Sequence, residues 1–138
     1  MNNDNDYPQP HADADNQPML DAWRNGQLLL QRCGGCDAVI FYPRPLCPEC
    51  WSQQLSFHEA TGRGRIVAFS LVHRPNHASF NEETPIVLAE IELHEGPSMI
   101  SRVVGCDADA VRSGMTVSLV TGEDCARYPL PTFTLDLD

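Results

Sequence analysis

The sequence predicts a mainly β protein in which a small metal-binding unit precedes a barrel. Two C-x₂-C pairs, ten residues apart, lie between Cys33 and Cys50. Five short β-rich runs follow in the rest of the chain, and the run Ile86–Glu95 alternates apolar and polar residues, as half-buried strands do. The 138 residues suffice for one core with a metal-stabilised appendage and are too few for two full-sized domains.

The chain begins with a polar segment and a short helical pattern. Residues 1–17 are mostly Asn, Asp, Gln, Pro and Ala. This composition buries too little apolar surface to offset the entropy of ordering, so we predict a disordered acidic tail. Residues 18–25 predict a short helix, with Leu20 and Trp23 on one side and Gly26 as its stop. Such a helix must dock, either on the chain's own barrel, which we favour, or on a partner.

Residues 18–58 form the predicted helix and zinc ribbon. Each C-x₂-C pair places two thiolates on one tight turn, and two such turns complete the tetrahedron that Zn²⁺ prefers. The predicted ligands are Cys33, Cys36, Cys47 and Cys50. Because four cysteine ligands leave no open position for water or substrate, the zinc would support folding rather than catalysis. Iron also suits four thiolates and is an alternative.

Two disulfides between the same cysteines are the other alternative. The sequence continues with Asn and Asp after the first Met, rather than with a basic and apolar leader. It also contains no apolar run near the roughly 20 residues that span a bilayer. We therefore expect a cytoplasmic, reducing compartment, in which thiols remain free to bind metal.

Residues 59–138 carry the five predicted strands. They are Arg65–Val72, Ile86–Glu95, Met99–Val104, Met115–Val120 and Thr132–Leu137. Gly62 and Gly64, at the start of the first strand, suit a bulge or a barrel corner. The segment between the third and fourth strands can hold one helical turn. Five short, bent strands favour an OB-type barrel over a two-sheet sandwich, which needs about seven strands.

Charge and motifs restrict the possible functions. The net charge is −10, Lys is absent and the nine Arg are scattered, which disfavours binding to nucleic acids or anionic membranes. The sequence has no G-x-S-x-G, phosphate-binding glycine loop or H-E-x-x-H motif. Cys106 and Cys125 lie outside the C-x₂-C pattern, and we interpret them as buried, inert thiols rather than as nucleophiles. The polar loop of residues 73–85 is either plain surface or a ligand loop on a rigid barrel.

At this point the residues resemble a known family, the acyl-CoA-associated OB-fold proteins with a rubredoxin-like zinc ribbon, called domain of unknown function 35, or DUF35. The resemblance runs from about Leu20 to Phe133. The phrases that carry it are DAWRNGQLLLQRCGGC, FYPRPLCPEC, GRGRIVAFSLVHRP, TPIVLAEIELHEGPSMISRVVGC, SGMTVSLV and LPTF. It is specific because it joins four metal ligands to barrel sequence at matching distances.

The resemblance implies a non-catalytic accessory or scaffold subunit. Members of the family accompany thiolase-like enzymes, aldolases or hotdog-fold hydratases, and some help hold or pass acyl-CoA. A CoA site needs cations for the phosphates and an apolar slot for the rest of the molecule. The candidates by position are Arg74, which we prefer, together with Arg44, Phe41, Tyr42 and Phe80. For Phe41 and Tyr42 we favour the alternative that they pack the ribbon against the barrel, and Arg44 can simply face solvent.

Two other functions stay open at the level of sequence. An OB-fold nucleic-acid-binding zinc-ribbon protein would place stacking aromatics in a basic groove, whereas the middle strands offer Arg102 and few aromatics. A small acyl-CoA enzyme in its own right would need a nucleophile paired with a base, and the sequence displays no recognisable pair.

Overall fold

The computed structural model describes residues 7–121 and 124–136 and places them in two β units. The first unit consists of helix α1, Gln17–Arg24, and strands β1, Leu29–Cys33, β2, Val39–Ile40, and β3, Leu55–Glu59. The three strands form an antiparallel sheet with β1 in the middle. Of the cysteines of the predicted metal site, Cys33 ends β1, and the other three lie in the connections between the strands of this sheet.

The second unit is a closed five-stranded barrel. Its strands are β4, Arg63–Val72, β5, Ile86–Leu93, β6, Ser98–Val104, β7, Thr116–Leu119, and β8, Phe133–Leu135. The order around the barrel is β4-β5-β6-β8-β7, and β6 and β8 are the parallel pair. The predicted five-stranded OB-type barrel is confirmed. Leu137, at the end of the last predicted strand, lies outside the described residues.

Short helical elements lie in three of the barrel connections. A 3₁₀ helix, Ala78–Glu83, lies in the long loop between β4 and β5. A second 3₁₀ helix, Ala108–Ala110, provides the helical turn predicted between β6 and β7. Helix α2, Asp124–Arg127, lies between β7 and β8.

The barrel core follows from the alternation of residues along β5. Every second residue from Val87 to Leu93 is buried, which puts the apolar face of this strand inside. Opposite it, a Cβ at Gly64 would lie 2.6 Å from Cγ2 of Ile91 and 2.9 Å from a carbonyl oxygen of β5. β4 therefore needs glycine at this close approach, and the strand then bulges between Ile66 and Ala68.

Helix α1 docks on the chain's own barrel, as favoured above. Met19 and Trp23 are 1% exposed, and Nε1 of Trp23 donates a 2.8 Å hydrogen bond to the carbonyl oxygen of Tyr128. The helix ends at Arg24, and Gly26 follows it with φ of +81°, a conformation that glycine adopts without strain. Among the described residues, no helix has the length and the apolar character needed to cross a membrane.

The N-terminal segment is packed from Tyr7 onward. Tyr7 is 4% exposed and lies in a cluster with Trp23 and Tyr128. Asn16 is also buried; its side chain accepts a hydrogen bond from the backbone N–H of Asp13 and donates one to a carbonyl oxygen upstream. The prediction of a disordered tail over residues 1–17 is therefore wrong for residues 7–17, and residues 1–6 lie outside the described part. The prediction was based on the average composition of the segment, which gives little weight to its one aromatic residue, Tyr7.

Replacing Trp23 by Ala should destabilise the protein by about 3–5 kcal/mol, because it leaves a cavity and removes the hydrogen bond to Tyr128. Equilibrium unfolding in urea would measure the loss. Arg24→Ala is the control, since this neighbouring side chain is exposed, and its effect should stay within about 0.5 kcal/mol. Equal unfolding midpoints for the two variants would contradict the docking of α1.

Candidate metal centre and ligand cavity

The four predicted ligands come together in the ribbon. The Sγ atoms of Cys33, Cys36, Cys47 and Cys50 all lie within 4.8 Å of one another. The distances from Cys33 to Cys50 and from Cys36 to Cys47 are both 3.6 Å. A tetrahedron with Zn–S bonds of about 2.3 Å requires sulfur atoms roughly 3.8 Å apart. The four thiols therefore fit one zinc ion, and this is a closed, structural site.

The two C-x₂-C turns have the same backbone hydrogen bonds. The N–H of Asp37 donates to the carbonyl oxygen of Cys33, and the N–H of Trp51 donates to that of Cys47, each at 2.9 Å. Asp37 and Trp51 follow the second cysteine of their turns, and both adopt a left-handed conformation, with φ of +64° and +67°. Each turn thus curls its backbone around the metal position in the same way.

Backbone N–H groups also point at the sulfur atoms. The N–H of Gly35 donates to Sγ of Cys33 at 3.3 Å, and the N–H of Glu49 donates to Sγ of Cys47 at 3.4 Å. These hydrogen bonds stabilise negative charge on the two buried sulfurs. Each turn thus directs a backbone N–H at the sulfur of its first cysteine.

The cysteines influence each other's ionisation. The backbone N–H of Cys36 lowers the pKa of the Cys33 thiol to about 6. At Cys36, the backbone N–H of Ala38 lowers the pKa, but burial and the neighbouring cysteines outweigh it and raise the pKa to about 12. Because like charges oppose joint ionisation, a divalent cation is what allows four thiolates to coexist at neutral pH.

A cavity of about 500 Å³ lies on the outside of the barrel, well separated in sequence from the metal ligands. The loop of residues 73–85, the outer faces of β5 and β6 and the segment 128–132 enclose it. Its walls are mostly apolar and include Val72, Phe80, Ile86, Leu88, Ile100, Leu130 and Pro131. Two arginines are among the described residues that line it, Arg102 and the exposed Arg74. This composition suits an amphipathic ligand with an apolar body and an anionic group.

The structure divides the predicted ligand residues between two places. Arg74 and Phe80 line the cavity. Phe41, Tyr42 and Arg44 belong to the ribbon and are not among the residues that line it. Phe41 packs against the barrel core and makes an edge contact with Tyr42 at 5.9 Å between ring centroids. The proposed CoA contacts of all five residues stay predictions, and the geometry brings only two of them together.

Tyr7 holds the cavity loop in place, a role that the sequence pattern did not reveal. Its hydroxyl donates to the carboxylate of Glu83, with distances of 2.8 and 2.6 Å to the two oxygens. Its ring stacks on Phe80 at 5.0 Å and on Tyr128 at 6.0 Å between centroids. One side chain thereby connects the N-terminal segment, the β4–β5 loop and the segment after α2.

Arg102 completes this arrangement from β6. Its Nη2 lies 2.7 Å from Oε1 of Glu83, and its guanidinium lies over the rings of Phe80 and Tyr128, at 5.9 and 5.7 Å. Burial alone would raise the pKa of Glu83, but the hydrogen bond from Tyr7 and the charge of Arg102 hold that pKa below its usual range. The sequence offered one signal for Arg102, namely a single cation within a mostly apolar strand.

Cys106 and Cys125 suit the interpretation as inert thiols. Burial, together with the charge of Asp107, raises the pKa of Cys106 and so makes its thiol less nucleophilic. Cys125 is buried and donates to the carbonyl oxygen of Val120 at 3.4 Å. Neither position resembles an activated nucleophile.

The closed barrel and the four-cysteine ribbon define a zinc-ribbon OB-fold protein. The family described as "ChsH2, rubredoxin-like zinc ribbon domain" matches residues 20–56, and the family described as "ChsH2, C-terminal OB-fold domain" matches residues 57–122. The chain belongs to the DUF35 family, in agreement with the resemblance stated from the sequence.

Three similar proteins illustrate the family. A "Probable enoyl-CoA hydratase alpha subunit" of Thermomonospora curvata is 34% identical over 91% of this chain, which spans only 39% of that protein. A "DUF35 domain-containing scaffold protein" of Methanothermobacter thermautotrophicus is 36% identical over 64% of this chain and 67% of its own length. The solved structure "Ltp2-ChsH2(DUF35) aldolase" contains a chain that is 33% identical, with a TM-score of 0.79 over 92% of this chain and 98% of that one.

Purified protein should contain one zinc ion per chain, and Cys33→Ser or Cys50→Ser should lose it and unfold the ribbon, because structural zinc contributes directly to folding. Metal analysis by mass spectrometry, together with circular dichroism, would test this. Cys106→Ser is the matched control and should keep its zinc. A folded, metal-free protein with two disulfides would disprove the assignment.

Replacing Tyr7 should loosen the loop of residues 73–85. Tyr7→Phe keeps the ring stacking and loses the hydrogen bond to Glu83, which should cost about 1.5–3 kcal/mol, and Tyr7→Ala should cost more because it also leaves a cavity. Thermal unfolding would measure both. His11→Ala, an exposed position in the same segment, should have little effect. A wild-type melting temperature for Tyr7→Ala would show that the segment does not hold the loop.

Proposed function

We propose that this chain is a non-catalytic accessory subunit of an acyl-CoA-processing enzyme. It binds a thiolase-like, aldolase or hydratase partner and helps to hold the acyl-CoA. The observation that carries the proposal is the apolar cavity lined by the exposed Arg74. Two relatives support it through their names, one as a hydratase subunit and one as the DUF35 chain of an aldolase.

The chemistry of the cavity suits acyl-CoA. Leu88, Ile100 and Leu130 offer apolar contact surface for an acyl or pantetheine group. The guanidinium of Arg74 is exposed, so it can reach a phosphate without first leaving a buried ion pair. A molecule with a long apolar portion and a polyanionic end would use both features at once.

The accessory role follows from where reactive groups lie. The zinc site is closed by four cysteines, so it presents no position for substrate. The cavity-lining residues that the structure describes include no cysteine or histidine. In this proposal the catalytic groups belong to the partner, while this chain supplies binding surface. The reduced thiolates fit a cytoplasmic setting for the complex.

A partner would also complete the cavity. Ile100 is 66% exposed and Leu130 is 43% exposed, although both line the apolar wall. Apolar side chains left open to water in this way are typical of a surface that another molecule covers. The alternatives fit less well, because a nucleic-acid interface would need a basic groove on this acidic protein, and an independent enzyme would need a nucleophile at the cavity.

Reconstitution with its partner would test this proposal. The tagged chain is used to isolate proteins from its own host, and a thiolase-like, aldolase or hydratase protein identified by mass spectrometry is then purified and combined with it. The chain should form a stable complex by size-exclusion chromatography and raise the partner's stability or activity. Detectable turnover of acyl-CoA by this chain alone, or no complex with any such enzyme, would reject the proposal.

Within that complex, Arg74→Ala should raise KM for acyl-CoA about 10- to 100-fold, as expected for the loss of a charge-assisted contact with phosphate. Steady-state kinetics would measure it. Arg32→Ala changes an exposed arginine on β1 of the ribbon and should leave KM unchanged. Equal KM values for both variants would remove Arg74 from the site and leave the accessory role untouched.

A further inference from the structure

Trp51 occupies a position that neither solvation nor backbone preference explains. Its side chain is 76% exposed, the largest value among the exposed large hydrophobic residues that the structure describes. Its backbone is left-handed, with φ of +67°, a region that bulky residues rarely adopt. A large apolar ring is thus held in water on a backbone that favours glycine or asparagine. Such local conflicts are typical of functional surfaces.

The other C-x₂-C turn shows that the fold does not require tryptophan there. Asp37 is the equivalent residue, with the same hydrogen bond to the first cysteine of its turn and φ of +64°. Aspartate is a small polar residue that tolerates this conformation and remains in water without cost. The two turns have the same backbone geometry although one carries Asp and the other Trp. The turn itself therefore does not need the indole of Trp51.

The metal turn also fixes the backbone that carries the ring. The N–H of Trp51 donates to the carbonyl oxygen of Cys47 at 2.9 Å, and the preceding residue, Cys50, is a metal ligand. The backbone that carries the indole is therefore ordered before any partner arrives. Tryptophan is among the residues enriched at the energetic centres of protein–protein interfaces, and an ordered backbone lowers the entropy that binding costs.

The surroundings of Trp51 indicate the chemistry of the partner. The two turns, residues 33–37 and 47–52, contain the exposed acids Asp37 and Glu49 and no Arg, Lys or His. Four thiolates around Zn²⁺ add two further negative charges. An apolar anchor within an anionic surface is complementary to an apolar pocket with a basic rim.

We propose that the tip of the zinc ribbon, formed by Trp51, Asp37 and Glu49, is a protein-docking surface. Its occupant is a pocket on the partner enzyme that receives the indole and is rimmed by Arg or Lys side chains. This inference rests on the proposed function for the existence of a partner, but it concerns a different part of the chain from the cavity that holds the ligand. The ribbon then attaches the subunit, and the barrel contributes the ligand surface.

The decisive variant is Trp51→Gly in the full-length, zinc-loaded chain. Glycine removes the ring and suits the left-handed backbone, so the melting temperature and the zinc content should be unchanged or higher. Binding to the purified partner enzyme, measured by titration calorimetry, should weaken at least tenfold. Val67→Ala, which trims an exposed apolar side chain on the barrel, is the control and should bind within threefold of wild type.

Charge reversal tests the basic rim. Glu49→Lys should weaken binding and reduce its sensitivity to salt, because favourable attraction between the surfaces is replaced by repulsion. Asp109→Lys makes the same change at an exposed position on the barrel and should bind as wild type does. Wild-type salt dependence for Glu49→Lys would overturn the basic-rim assignment.

Three outcomes separate the possibilities. Wild-type affinity in Trp51→Gly would overturn the docking surface while leaving the accessory function in place. Failure of the unmodified chain to bind any enzyme partner would overturn both. A wild-type dimer that becomes a monomer in Trp51→Gly, by light scattering, would assign the tip to a second copy of this chain and reject the partner enzyme as its occupant.

Discussion

The buried aromatic cluster of Tyr7, Trp23 and Tyr128 connects the segments on which the cavity depends. Tyr7 comes from the N-terminal segment, Trp23 from α1 and Tyr128 from the chain between α2 and β8. None of these segments pairs with the barrel as a strand, so their positions depend on side-chain packing. Where backbone hydrogen bonds do not fix a segment, a few large rings can do so, because each buries a large apolar area.

The charged groups beside this cluster fix how its rings are placed relative to one another. Glu83 accepts from Tyr7 and pairs with Arg102, while the guanidinium of Arg102 lies over Phe80 and Tyr128. Rings alone could slide past one another, whereas the carboxylate fixes the distance between the β4–β5 loop and β6. The β4–β5 loop also carries Arg74. The contacts of Glu83 with Tyr7 and Arg102 therefore hold the loop that lines the cavity.

The two β units are stabilised by different interactions. In the ribbon, order comes from four cysteines and repeated backbone turns, because a sheet with a two-residue strand has little core of its own. In the barrel, order comes from the apolar faces of strands such as β5. The cysteine turns therefore order the ribbon backbone without a large apolar core. Trp51 is exposed on one of these turns.

The sequence by itself determined the metal site and the barrel, because both are encoded in local patterns. The C-x₂-C spacing places sulfur atoms on a turn whatever surrounds it, and the alternation along β5 selects the buried face from the sequence alone. The cavity depended on tertiary structure: Tyr7 and Glu83 are 76 positions apart, and nothing near either residue indicates that they meet. For the same reason the N-terminal segment was misassigned, since its packing depends on one side chain whose partners lie elsewhere. Short-range rules describe the chain between neighbours, whereas contacts between distant segments form only when the barrel brings their surfaces together.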